Sequence, residues 1–174
     1  MEMIRTVAKA WKIPDIRKKI IFTLLMLVVF RVGSQIPVPG IDREILAQTF
    51  DGETGLFALF NLFSGGAFSQ FTIFALSITP YITASIILQL LTIAIPSLER
   101  LAREGVEGRK KIAAYTRYMT VVLAIIQAIG VSIGLFRQAL ISTDFFSVAV
   151  IVLVLTAGTT FLMWLGEQIN EHGI

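Results

Sequence analysis

Residues able to make or break covalent bonds are scarce in this chain and poorly placed for it. There is one histidine, His172, close to the end of the sequence, and no cysteine. That argues against a histidine-based metal site or triad and excludes thiolate chemistry and disulfides. No G-x-x-x-x-G-K-[ST] phosphate cradle, no H-E-x-x-H and no pair of carboxylates inside an apolar run is present. Asp144 and Glu167 fall at the ends of apolar runs, whereas ion-coupled pumps and intramembrane proteases need such groups at membrane depth. The polar groups within the second and third apolar runs include the hydroxyls and amides of Ser77, Thr79, Thr83, Ser85, Gln89, Thr92 and Gln127. Their chemistry is solvation, since at depth they need protein or water around them rather than lipid. These absences point away from an enzyme and from any cofactor or metal, and they place any energy source in a partner.

A second feature concerns the backbone. Phe60, Asn61, Leu62, Phe63, Ser64, Gly65, Gly66 and Ala67 form a segment apolar enough for a membrane, yet interrupted by adjacent glycines. Each glycine lowers helix propensity by about 1 kcal/mol. Hydrocarbon also penalises unpaired backbone, so a break at this depth is tolerable only inside protein or beside a water-filled cavity. A pore or transport site follows from that requirement.

Membrane spans are the elements that must position these groups. The chain is 55% hydrophobic and 16% charged, with mean hydropathy +0.79, which is too apolar for an ordinary soluble domain. Four apolar runs are expected at 20–37, 71–95, 112–136 and 145–165, each near the roughly 20 residues that cross about 30 Å of hydrocarbon. The basic residues Arg5, Lys9, Lys12, Arg17, Lys18 and Lys19 precede the first run, and Arg100, Arg103, Arg109, Lys110 and Lys111 separate the second from the third. The positive-inside rule therefore predicts a cytoplasmic N-terminus (1–19), a cytoplasmic loop at 96–111 and a cytoplasmic end at 166–174. An external loop at 38–56 and a short apolar segment at 57–70 lie between the first two runs. A signal peptide is the competing reading of the first run, disfavoured by Arg31 within it and by the lack of a small-residue cleavage site. Arg31 itself is expected to snorkel to the interface.

Within the second run, Ile78, Ile82, Ile86 and Leu90 recur every four residues as one apolar stripe, and Pro80 is expected to kink the helix. The run reads either as a buried helix whose hydroxyls bond to neighbours or to its own carbonyls, or as a helix lining a conduit. Gly130 and Gly134 have the G-x-x-x-G spacing that admits a close neighbouring helix. Gln127 either bonds to such a neighbour or lines a polar seam. The small residues Thr156, Ala157, Gly158, Thr159 and Thr160 predict a packing face, and Trp164 fits an interfacial belt. The 96–111 loop reads as a solvated, topology-fixing turn or as a site for an acidic partner or anionic lipid.

Several segments together resemble the SecY family, the central subunit of the bacterial protein-conducting channel. They are Phe30-Arg31-Val32-Gly33-Ser34 with Ile36-Pro37-Val38-Pro39-Gly40-Ile41-Asp42, then Phe60-Asn61-Leu62-Phe63-Ser64-Gly65-Gly66-Ala67. Pro80-Tyr81-Ile82-Thr83-Ala84-Ser85, Tyr115-Thr116-Arg117-Tyr118 and Leu162-Met163-Trp164-Leu165-Gly166-Glu167-Gln168 continue the series in the family's order. The resemblance implies an all-α membrane protein, a ten-helix clamshell of which this chain looks like the first four transmembrane helices plus a re-entrant plug half-helix. The stop near Gly166-Glu167-Gln168 departs from the family pattern and is expected to mark a fragment.

By the same resemblance, residues 57–70, and above all 60–67, look like the plug. Ile78 and Ile82 look like members of the pore ring, and Thr83, Ile87 and Gln127 like the lateral gate. The implied activity is passage of unfolded secretory polypeptides through the bacterial inner membrane, with sideways release of signal and transmembrane segments into lipid. Implied partners are SecE and SecG, the SecA motor ATPase or a ribosome, and substrates bearing signal sequences, with no direct nucleic-acid binding. Half of a small-solute channel or transporter, or an inert scaffold subunit, are the alternatives.

Overall fold

The computed structural model describes residues 14–42, 45, 59, 62, 64–67, 69–135, 140 and 144–173. Its elements are helices: α1 (Pro14–Gly33), α2 (Thr79–Ala94), α3 (Pro96–Arg103), α4 (Val106–Gly130), which runs on into a π-helical turn at Val131–Leu135, and α5 (Phe145–His172). Among the described residues the only β pairings are isolated bridges joining Pro37 to Thr72 and Ile41 to Leu140.

α1 carries Asp15 in its first turn and Arg31 in its last, the charge order that complements a helix dipole. Leu24, Leu25, Leu27, Val28 and Val32 along it are all exposed, as expected of a helix that meets lipid or another chain on most sides. It stops at Gly33, where a Cβ would overlap the ring of Phe74, and at a turn closed by Ser34 N–H donating to the Phe30 carbonyl.

The second apolar run departs from expectation. Its helix starts at Thr79 rather than near residue 71, because Phe71 and Ser77 sit at φ 45° and 53° in left-handed backbone that a helix cannot contain. Pro80 therefore opens α2 instead of kinking it; the N–H it lacks is one that the first helical turn leaves unpaired anyway. Residues 71–78 form an irregular strap. Val38 N–H donates to the Phe71 carbonyl and Ile73 N–H to the Ile36 carbonyl. Phe71, Phe74, Ala75 and Leu76 of the strap are buried. The strap crosses α5 at Gly158, where a Cβ would overlap the Ile73 carbonyl. The small-residue face of the fourth run thus packs on irregular backbone.

The 96–111 segment is helical over most of its length. At Ile95 the chain turns through 101° between α2 and α3. Gly105, at φ 79°, separates α3 from α4, whose Gly108 lies so close to the Leu101 carbonyl that a Cβ would not fit. The close-packing seam of α4 also differs from expectation. Buried Thr116, Thr120, Ala124 and Ala128 repeat along one face, while nothing lies within 4 Å of a Cβ built at Gly130 or Gly134.

Among the described residues, Val106–Gly134 and Phe145–His172 are long and apolar enough to cross a membrane, and the bent pair α2–α3 makes a third candidate. Four spans were expected; α1 has the length, but Arg17, Lys18, Lys19 and Arg31 confine its uncharged part to 20–30. One core cluster joins Val38, Phe71, Ala75 and Leu76 to Ala128 of α4 and Ile151, Val152 and Leu155 of α5. A second joins Ala67, Phe74 and Leu162, with Phe30 against it. The ring of Phe74 stacks on Phe30 at 5.8 Å and on Phe161 at 6.0 Å. The start of α1, the start of α4 and the end of α5 share one end of the molecule: Phe22 meets His172 and Arg117 pairs with Glu167.

Candidate functional site: a glycine turn and an open isoleucine face

The glycine pair makes a tight turn. Gly65 and Gly66 adopt φ 63° and 87° in succession, a conformation that costs a residue bearing a Cβ roughly 1–2 kcal/mol at each position. The backbone there is paired. Gly65 N–H donates to the Leu62 carbonyl, and Ala67 N–H donates to the Ser64 carbonyl. Thr72 donates to the Ala67 carbonyl from both its N–H and its Oγ1, and Ser69 Oγ donates to the Gly66 carbonyl. Ser64 and Ala67 are buried, while Leu62 is exposed. The residues flanking the break are thus held by protein, but Gly65 itself is exposed and Gly66 half-buried in this part of the fold. Phe60, Asn61 and Phe63 lie outside the described residues.

One contact to this turn was missed by sequence reasoning. Arg31 does not extend away from the molecule; its Nη1 donates to the Gly65 carbonyl at 3.0 Å. Thirty-four positions separate the two residues, so no local spacing signalled the pairing.

Ile78 and Ile82 remain one turn apart, with Ile82 N–H donating to the Ile78 carbonyl. Their surroundings differ. Ile78 is the residue that caps α2, half-buried, with its Cδ1 3.6 Å from a Cβ built on Gly166. Ile82, Ile86 and Leu90 form an open apolar face at 51%, 52% and 62% exposure. The polar groups of α2 turn inward to their own helix. Thr83 Oγ1 donates to the Thr79 carbonyl, Thr92 Oγ1 to the Leu88 carbonyl, and Gln89 Nε2 to Ser85 Oγ. The self-bonded hydroxyls fit the reading of a buried helix, whereas the open Ile82, Ile86 and Leu90 face does not. Ile87 and Gln127 are half-buried, and among the described residues no hydrogen bond joins Thr83 to Gln127. Ser85 and Gln89 also line a cleft of about 400 Å³ with Arg109 and Glu167.

The ion pair between Arg117 Nε and Glu167 Oε1, 2.8 Å long, ties α4 to α5 and was likewise missed. Opposite charges at adjacent ends of two consecutive apolar runs were the available signal.

Known proteins share this fold. The family model named SecY matches residues 72–174. The chain belongs to the SecY family. It is 52% identical over 176 residues to the protein translocase subunit SecY of Halalkalibacterium halodurans, an alignment covering 99% of this chain and 40% of that protein. It also superposes on Sec61 of the canine ribosome-channel complex from the endoplasmic reticulum, with a TM-score of 0.64, 19% identity, and coverage of 97% of this chain and 38% of that one. A SecY protein whose plug domain stabilises the closed state of the translocation channel and maintains a membrane seal superposes with a TM-score of 0.62 and 19% identity, covering 97% of this chain and 37% of that one. The chain thus spans about two fifths of the length of these relatives. Its fold is that of part of a SecY channel subunit, and its apolar helices are those of a multi-pass membrane protein.

Proposed function

We propose that this SecY-family segment contributes to a pore that passes unfolded secretory polypeptides across a bacterial inner membrane and releases signal and transmembrane segments sideways into lipid. The observation that carries the reading is the Gly65–Gly66 turn, hydrogen-bonded to α1 and held by the 71–78 strap, together with the open isoleucine face of α2. Residues 60–67 act as the plug in this reading, within a re-entrant segment at 57–70. Ile78 and Ile82 belong to the apolar pore ring, which closes to ions by dewetting. Thr83, Ile87 and Gln127 sit at the lateral gate, where the self-bonded hydroxyl of Thr83 leaves that contact weak.

The basic end of the molecule faces the cytoplasm by the positive-inside rule, which puts 1–19, 96–111 and 166–174 on that side. The spans are then 20–37, 71–95, 112–136 and 145–165. A motor ATPase (SecA) or a ribosome supplies the energy, SecE and SecG complete the assembly, and the chain itself performs no catalysis. The name of the canine neighbour, a ribosome–channel complex, supports a ribosome as one partner class.

The test is translocation of a signal-bearing precursor into vesicles that hold the complete subunit in its complex, with the motor ATPase and ATP. Protease protection of the precursor that depends on the motor is expected. Motor-independent flux of small solutes without precursor entry would replace this reading with a small-solute channel.

A further inference from the structure

The turn at Gly65–Gly66 is held from two sides of different strength. On one side Thr72, itself within the buried strap, grips the Ala67 carbonyl with two hydrogen bonds, and Ala67 is fully enclosed. On the other side the described side-chain hydrogen bond from α1 is a single one, from Arg31 to the Gly65 carbonyl, with the Phe30 ring 3.7 Å from a Cβ built on Gly65. The guanidinium is the charged end of that contact, and among the described residues no carboxylate pairs with it. Arg31 and Gly65 are both exposed among the described residues, so the bond draws its strength from its charged donor rather than from burial. When the turn leaves, Arg31 loses that acceptor and the carbonyl loses its donor, so the contact weighs on only one of two positions.

We propose that Arg31 is the latch of this turn, a positioning residue whose guanidinium biases residues 64–67 toward their seated place. This rests on the reading of that segment as the plug. The contact is charge-assisted, and for an exposed donor its loss shifts a two-state balance by up to about tenfold.

The experiment measures resting potassium chloride conductance of the complete subunit, assembled in its complex in planar bilayers, with no precursor present. Arg31→Met keeps the apolar stem and removes every donor, and it should raise resting conductance severalfold, up to about tenfold. Arg31→Lys keeps a charged donor and should raise it much less. Should Arg31→Met fail to assemble, Arg31→Gln takes its place, with the same expected direction. Each is repeated in a background lacking residues 61–67, where Arg31→Met should add nothing. If the deletion raises conductance and Arg31→Met does not, the latch is wrong and the plug stands. If Arg31→Met raises conductance equally in both backgrounds, Arg31 acts elsewhere and the latch is again wrong. If neither change raises conductance, the plug reading falls and the latch with it.

Discussion

Ile78 and Ile82 share a helical turn but not an environment: the first touches α5 near Gly166, and the second stands open. On the proposed pore-ring reading, shortening either should let water wet the constriction. Ile82→Ala should raise resting ion conductance of the complete channel, and Ile78→Ala should in addition lower its thermal stability, because only Ile78 packs within this part of the fold. Equal stability of the two variants, or unchanged conductance in both, would count against that assignment. The Arg117–Glu167 pair is simpler. Its side chains are 51% and 25% exposed, so a double-mutant cycle should return a coupling of about 1 kcal/mol or less. A much larger value would show that the assembled channel buries the pair. The isoleucine spacing and the glycine pair were legible as residue types, because periodicity and left-handed backbone both leave a mark on composition. The Arg31 contact was not, since a side chain's partner 34 positions away leaves no local trace.

At the scale of elements, Pro80 is the instructive case. A proline inside an apolar run is expected to kink a helix, but here the left-handed backbone at Ser77 stops any helix from starting earlier, and the proline falls among the first helical positions. Serine does not announce a positive φ as glycine does, so this boundary was unreadable. Pro80 is also fully buried, so Pro80→Ala should cost about 1–2 kcal/mol through lost packing while leaving the course of α2 unchanged. Chemical unfolding of the purified complex measures the first and spin-label distances across α2 the second, and an altered helix direction would contradict the boundary.

Gly158 makes the opposite prediction. Its missing Cβ is filled by the Ile73 carbonyl, so Gly158→Val should destabilise by about 3 kcal/mol or block assembly, as overpacking against backbone does. A loss under about 1 kcal/mol, read from thermal unfolding, would mean that the strap can retreat. The small residues near Gly158 did predict a packing face. The G-x-x-x-G at Gly130 and Gly134 did not find a neighbour in the described structure, because spacing identifies a permissive face without saying which one is used. The used face of α4 runs through Thr116, Thr120, Ala124 and Ala128 instead.

For the whole molecule, the two long apolar helices were legible because their length and hydropathy are properties of sequence alone. The bent α2–α3 pair was partly so: the apolar run was clear, and the turn at Ile95 was not. Charge distribution gave the end-to-end asymmetry. The structure brings Arg117 and Glu167 together at the end that also holds Phe22 and His172.

The Phe30, Phe74 and Phe161 rings lie nearly parallel, tilted by only 2° and 4° from one to the next. Parallel aromatic faces lose contact when pulled apart but keep most of it when they glide. With Phe30 on α1, Phe74 in the strap and Phe161 on α5, this column behaves like a stack of cards. Travel of the first helix against the last that stays in the plane of the rings therefore costs this contact less than travel that parts them.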